Sequence, residues 1–287
     1  MRAFASSLEC ALVVTQPDRP AGRGRKLQAT AVKVAARALG IPTIEPERLG
    51  EALATLRAAS ADIYAVASYG KILSQVVLDA APLGALNVHP SLLPLYRGAT
   101  PLQSQLRDGV VQSGVSIILM DAGMDTGDIV LQRRDAIGAD ETYGELHDRF
   151  AALGADALVQ TCAAVAAAAL IRTPQTGLAS DDEVARTLTR PLTKDDLLVD
   201  WRWSATRIVD HVRAFAPQPG ARARLDGEAE MVKILKARAV DRPEAGELAV
   251  PCGQGGHVAL ELLVPANRKP MSGTAYLASG RAAARNS

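Results

Sequence analysis

A chain of 287 residues, 48% hydrophobic and carrying 32 basic against 31 acidic side chains, has enough apolar material for two modest domains, each with its own core. The net charge of +1 excludes a general polyanion binder, so any nucleic-acid surface has to be a local patch. The longest low-polarity run, AAVAAAALI at 163–171, is far shorter than the roughly 20 apolar residues of a membrane helix, and MRAFASSLEC lacks the apolar core of a secretory signal, so the expectation is a cytoplasmic monomer with no membrane partner.

The first half alternates short β-branched runs with helical stretches. Strands are expected at Ala11–Thr15, Thr43–Ile44, Ile63–Ala67, Ala85–Val88 and Gly114–Met120, and helices at Thr30–Leu39, Gly50–Ala58, Leu73–Ala80 and Pro101–Asp108. That succession predicts a Rossmann-like, mostly parallel α/β sheet with helices on both faces, whose ligands sit beyond the carboxyl ends of the strands. An alanine-rich helix, Gly144–Leu170, closes this unit. The segment IRTPQTGLASDDEVAR has the Pro, Gly and charge content of a linker, which gives a first domain at 1–171, a linker at 172–190 and a second domain at 191–287. In the second domain DWRWSATRIVDHVRAF reads as one amphipathic helix. The short strands after it, split by glycine and proline, suit a small β-barrel.

Cys10, Cys162 and Cys252 are far apart and form neither a disulfide framework nor a zinc pair. His147, His211 and His257 are dispersed and read as surface or packing residues, and Trp201 and Trp203 as core or staple residues.

The most specific segment is Asn87-Val88-His89-Pro90-Ser91-Leu92-Leu93-Pro94-Leu95-Tyr96-Arg97-Gly98. Asn87 and His89 are two apart at a strand end, so both side chains point to one side and can converge on one oxygen. Pro90 and Pro94 remove backbone donors and fix the loop that follows. As an isolated pair, NxH serves equally well to cap a strand. The second segment, Asp121-Ala122-Gly123-Met124-Asp125-Thr126-Gly127-Asp128, also follows a strand, and its glycines permit a tight, positive-φ turn presenting Asp125 at the sheet edge. Alone, it is a plain turn or a calcium-like loop, although the oxygen-ligand spacing of an EF-hand is missing.

Together, NVHPSLLPLYRG and DAGMDTGD resemble the signature of the folate-dependent formyltransferases over nearly the whole chain. The resemblance implies that Asn87, His89 and Asp125 are catalytic. It also implies that Ser91, Leu92, Leu93 and Pro94 contact the folate, and that Ser68, Tyr69 and Gly70, with Asp121 in the loop before Asp125, line the pterin pocket. The co-substrate implied is 10-formyltetrahydrofolate, and no metal is needed. Chemically, an amine attacks the formyl carbon. Negative charge then grows on the formyl oxygen, for which Asn87 and a protonated His89 are donors, while Asp125 favours the imidazolium and relays the proton lost by the amine.

Several branches share that core. Thr15-Gln16-Pro17-Asp18-Arg19-Pro20-Ala21-Gly22-Arg23-Gly24-Arg25-Lys26 resembles the basic insertion of the branch that formylates methionyl-tRNA. Arg19, Arg23, Arg25 and Lys26 are thereby implied to bind initiator methionyl-tRNA, the alternative being a solvated basic loop. PLTKDDLLVDW, VRAFAPQPGA and NRKPMSG resemble the second, tRNA-holding domain of the same branch, an OB-like barrel. Formylation of an amino-sugar nucleotide and a folate- or RNA-binding relative without turnover stay open. Family members open with a further strand and a Gly-Thr-Pro loop, so the sequence reads as lacking the first strand of its sheet, which would leave neighbouring strands unpaired.

Overall fold

The computed structural model describes residues 8–21, 26–225 and 230–279. They form two compact units, one of 1–99, 114–134 and 150–188, the other of 100–113, 135–149 and 189–287. Among the described residues no helix is long and apolar enough to cross a membrane.

In the first unit, β1 (Val13–Val14) pairs in parallel with β4 (Thr43–Ile44), and between them β2 (Arg19–Ala21) and β3 (Lys26–Gln28) form an antiparallel hairpin. Helix α1 (Ala31–Ala38) starts where the Thr30 hydroxyl accepts from the Lys33 amide at 3.1 Å, which satisfies one of the open donors of a first turn. The next elements are α2 (Leu53–Ala58), β5 (Tyr64–Val66), α3 (Gln75–Leu78), β6 (Ala85–His89), β7 (Gln112–Leu119) and β8 (Asp128–Ala136). Strands β5 to β8 lie in that order in one sheet. The pairs β1/β4 and β5/β6 are parallel as the βαβ rhythm predicts, while β6/β7 is antiparallel, so the architecture is mixed α/β. Among the described residues, strands β1 and β5 each have one ladder partner and belong to separate sheets.

The long helix, here α5 (Tyr143–Ala166), follows α4 (Pro101–Arg107). On α5, Phe150, Gly154, Ala157, Leu158, Thr161 and Cys162 recur on one helical face and are buried. Gly154 lets α5 lie against β6, because a Cβ there would stand 2.6 Å from a Val88 methyl. The segment read as a linker contains structure. Thr173 exchanges both backbone hydrogen bonds with Ile129 of β8, and α6 (Asp181–Thr187) begins with a Ser180/Glu183 capping box.

The second unit is built on α7 (Ala205–Phe215) against a curled antiparallel sheet, a half-barrel. The helix starts later than its sequence suggests because Ser204 caps it and Asp200–Trp203 form the preceding turn. Ile208, His211, Val212 and Phe215 make its buried face. They meet Ile234 of β10 (Val232–Val240), and Leu260 and Leu263 of β12 (His257–Val264). Shifts of register near Lys236 bend the β10/β12 pair. The unit also contains β9 (Ala221–Ala223), β11 (Ala249–Pro251), β13 (Met271–Ser272) and α8 (Gly273–Ala278), with Tyr276 fully buried, together with α4 and the first turns of α5. Trp201 and Trp203 pack against this core, as their sequence context predicts.

His211 is 2% exposed, wedged between the rings of Trp203 and Phe215 at 5.1 and 4.9 Å. Burial pushes its pKa down to about 4 from 6.5. The folded protein therefore favours neutral His211, and this contribution is complete above pH 6.5 and lost as pH falls toward 4. The difference amounts to about 3 kcal/mol. Urea unfolding at pH 7, 5.5 and 4 should show stability falling across this window. His211→Phe should flatten that slope, and an unchanged slope in the variant would refute the assignment.

Candidate functional site

Strand β6 carries Asn87 and His89 to its carboxyl end, and the β7–β8 connection carries Asp125 to meet them. The Asp125 carboxylate lies 3.5 Å from Asn87 Nδ2 and 3.6 Å from His89 Nδ1. These spacings let each charge be felt by its neighbours, yet they are too long for tight hydrogen bonds, so the polar atoms keep capacity for a reacting group. The carboxylate is fixed on another side, where its Oδ2 accepts from the Gly98 amide at 2.8 Å. The strand-end pair and the acidic turn, 38 residues apart, thus form one constellation.

The glycines of the acidic turn serve differently from the sequence reading. The positive φ, 56°, belongs to Asp125 itself. Such a backbone costs roughly 1–3 kcal/mol for a non-glycine residue and persists only where neighbours over-determine it. Gly123 and Gly127 instead permit close approach, since a Cβ at either would meet Thr126 Oγ1 or Leu119 O at 2.0 Å. Asp121 caps the same turn, accepting from Gly123 N at 3.0 Å and from the Thr126 hydroxyl at 2.8 Å.

His89 is buried, and its Nε2 donates to the Tyr96 carbonyl at 2.9 Å, which fixes the tautomer and leaves Nδ1 toward Asp125. Burial holds its pKa below the ordinary histidine value. Asp125 and the Tyr96 carbonyl oppose that shift, and Arg97 adds to it. The sequence reading made His89 an imidazolium through Asp125. Asp125 favours that form, while desolvation acts against it and is the larger influence.

Ser91 to Pro94 form a rigid loop with a cis Leu93–Pro94 peptide. Ser91 Oγ donates to Leu95 O at 2.7 Å. Ser116 of β7 donates to Ser91 O at 2.7 Å and accepts from Leu93 N at 3.1 Å, while Gln132 of β8 donates to Leu93 O and Ser116 Oγ at 3.0 and 2.9 Å. Leu93 packs with Ile118 and Ile129, and Leu92 is half-buried. Ser68, Tyr69 and Gly70 follow β5, with Ser68 and Gly70 at positive φ, and the Tyr69 carbonyl accepts from Gln16 at 2.8 Å. The Tyr69 hydroxyl is buried with no partner among the described residues. An orphaned donor beside an irregular backbone suits a polar heterocycle.

The basic segment is a hairpin at its base. Arg19 sits on β2, exposed, and pairs with Glu47 at 3.6 Å. Lys26 belongs to β3 in register with Ala21, and Arg23 and Arg25 lie outside the described residues. Next to the hairpin, buried Lys33 binds Asp18 and Glu45 at 2.7 and 2.6 Å, and these carboxylates, Asp18 first, hold its ammonium above the usual lysine range.

Sequence reasoning missed Gln175, Ser116 and Gln132, and gave Arg97 no role. Nothing in the local pattern marks them, because the first three are polar residues in a linker-like stretch and in strands. Only their closeness to the site separates them from others of their type.

The structure thus brings a carboxamide donor and an imidazole to face a turn-borne carboxylate at a strand end, the arrangement expected for formyl transfer. Matches to known families agree. Residues 2–162 match the formyl transferase family model and residues 191–281 its C-terminal domain model. The chain is 44% identical over 283 residues to the methionyl-tRNA formyltransferase of Anaeromyxobacter dehalogenans, covering 93% of this chain and 88% of that protein. It is 42% identical over 274 residues to the methionyl-tRNA formyltransferase of Pseudomonas entomophila, covering 92% and 86%. An N-formyltransferase from Helicobacter canadensis, solved with folinic acid and dTDP-3-aminofucose, shares the fold with a TM-score of 0.61 at 15% identity, over 86% of each chain. The chain belongs to the formyl transferase family, in which it groups with the methionyl-tRNA formyltransferases.

The balance of influences on His89 is testable by following its imidazole resonance against pH. The ring should titrate below 6.5, Asp125→Asn should lower that value further, and Arg97→Gln should raise it. A rise in Asp125→Asn would overturn the electrostatic account.

Proposed function

We propose that this chain transfers the formyl group of 10-formyltetrahydrofolate to the amino group of methionine carried by initiator tRNA. The observation that carries the reading is the facing of Asn87 and His89, on one strand end, toward the Asp125 carboxylate at 3.5 and 3.6 Å. Bound folate supplies a formyl carbon attached to nitrogen. The Ser91–Pro94 loop and the Ser68–Gly70 segment, with its orphaned Tyr69 hydroxyl, would hold the heterocycle. The protein's own part begins with Asn87 Nδ2, which donates to the formyl oxygen as negative charge grows there, an effect worth on the order of 3 kcal/mol. Neutral His89 spends its N–H on Tyr96, so its Nδ1 lone pair and the Asp125 carboxylate together receive the proton lost by the attacking amine and return it to the folate nitrogen as the bond from that nitrogen to the formyl carbon breaks, releasing tetrahydrofolate.

The acceptor is assigned from relatives that are methionyl-tRNA formyltransferases and cover most of the chain. The basic segment from Arg19 through Arg23 and Arg25 to Lys26 would bind the tRNA phosphates. Residues 1–171 would form the catalytic domain, 172–190 a linker and 191–287 an OB-like tRNA-holding domain, acting in the cytoplasm as a monomer. The runner-up acceptor is an amino-sugar nucleotide, favoured by the fold shared with the Helicobacter canadensis enzyme solved with such a compound.

The deciding assay is formyl transfer to charged initiator tRNA, with uncharged tRNA and an amino-sugar nucleotide as controls. Asn87→Ala, His89→Ala and Asp125→Asn should each lower turnover by roughly a hundredfold with folate binding little changed, and their combinations should be far from additive. Near-normal turnover in Asp125→Asn would sink the mechanism.

Changing Arg23 and Arg25 together to Ala should weaken tRNA binding and flatten the log–log salt slope by about two units, one per phosphate contact, without moving folate affinity. An unchanged slope would make the segment a solvated loop.

A further inference from the structure

Gln175 belongs to a stretch whose composition reads as a connector, yet it is 5% exposed and every polar position of its amide is used. Its Nε2 donates to the Asp125 carbonyl at 2.9 Å and to the Gly127 carbonyl at 2.7 Å, spanning the acidic turn. Its Oε1 accepts from Arg97 Nε and Nη2 at 3.0 and 2.7 Å. The residue reaches this position because Thr173, two residues earlier, is locked to Ile129 by backbone bonds of 2.9 and 2.8 Å. Arg97 in turn precedes Gly98, whose amide binds the Asp125 carboxylate. The contacts close a ring. Asp125 is held by its carboxylate from Gly98 and by its carbonyl from Gln175, and Arg97 ties those two holders together.

We propose that Gln175, oriented by Arg97, is a positioning residue for formyl transfer that sets the Asp125 turn, and with it the carboxylate, against Asn87 and His89. Asp125 has a positive φ, a region that residues other than glycine populate sparsely. Of the two carbonyls that Gln175 binds, one is that of Asp125 itself and the other lies two residues on, at Gly127. A carboxylate tied at only one end can pivot, and a displacement of about 1 Å at a reacting group can cost on the order of a hundredfold in rate. Both atoms of the Gln175 amide are needed, one pair to donate and one to accept. A glutamate keeps the acceptor for Arg97 and loses the donor to the turn.

The inference rests on the formyl-transfer reading, and its test separates the two. Gln175→Met and Gln175→Glu in the full chain should each lower kcat by roughly ten- to a hundredfold, with KM for the folate donor and for charged tRNA within about twofold of the parent. The His89 resonance should titrate lower in Gln175→Met than in the parent, because Asp125 moves away from the ring. A variant with parental kcat and parental His89 titration overturns the proposal. So does a kcat loss matched by Arg133→Met, a variant at another side chain tied to a glutamine, Gln160, outside the site. If the parent transfers no formyl group to tRNA, the acceptor reading fails, and the His89 titration still decides whether Gln175 sets Asp125.

Discussion

Asp125 is held at both ends in a left-handed backbone conformation, and the arrangement of the site around it depends on that hold. The Gly98 amide grips the carboxylate, and the Gln175 amide grips the peptide carbonyl. Gly127 lets the turn come down onto β7, where any side chain would strike the Leu119 carbonyl. Three sequence segments separated by tens of residues therefore meet to hold one charge. The sheet supplies the complementary half, because β6 ends with Asn87 and His89 on the same side.

Electrostatics within this frame is a contest between burial and charge. His89 lies beside a carboxylate that favours its protonation, yet desolvation prevails and Arg97 adds to it. With its Nε2 hydrogen committed to the Tyr96 carbonyl, the ring turns Nδ1 toward the Asp125 carboxylate. The same physics operates without chemistry in the second unit, where His211 is kept neutral between two aromatic rings and makes stability depend on pH.

The loops around the site are fixed from beneath by polar groups that the hydrophobic pattern does not reveal. Ser116 and Gln132 tie the backbone of the Ser91–Pro94 loop to β7 and β8, so a loop rich in leucine and proline has a defined shape with few hydrogen bonds of its own. Gln16 links the segment before the β2/β3 hairpin to the Tyr69 carbonyl, and Lys33 gathers Asp18 and Glu45 beside it. These loops are thus anchored by polar side chains of neighbouring segments.

The sequence by itself determined what depends on short-range periodicity and on residue chemistry. Strands β4 and β6, helix α1 with its Thr30 cap, and α4 starting at Pro101 all stand within a residue or so of their expected places. The formyl transferase family was legible because NVHPSLLPLYRG and DAGMDTGD bring uncommon residue combinations together locally. Tertiary structure decided what depends on distance. Strand β8 was unread because its alternation is broken by charged residues, and α6 because its capping box lies in a polar stretch. The antiparallel direction of β7 follows from its ladder partner, which no local pattern encodes. The lowered pKa of His89 follows from its burial, and the contacts of Gln175 from the backbone pairing of Thr173 with Ile129, 44 residues apart in sequence. A glutamine in an open linker and a glutamine that bridges Arg97 to the acidic turn have the same side chain, and only the groups that the fold brings to its amide distinguish them.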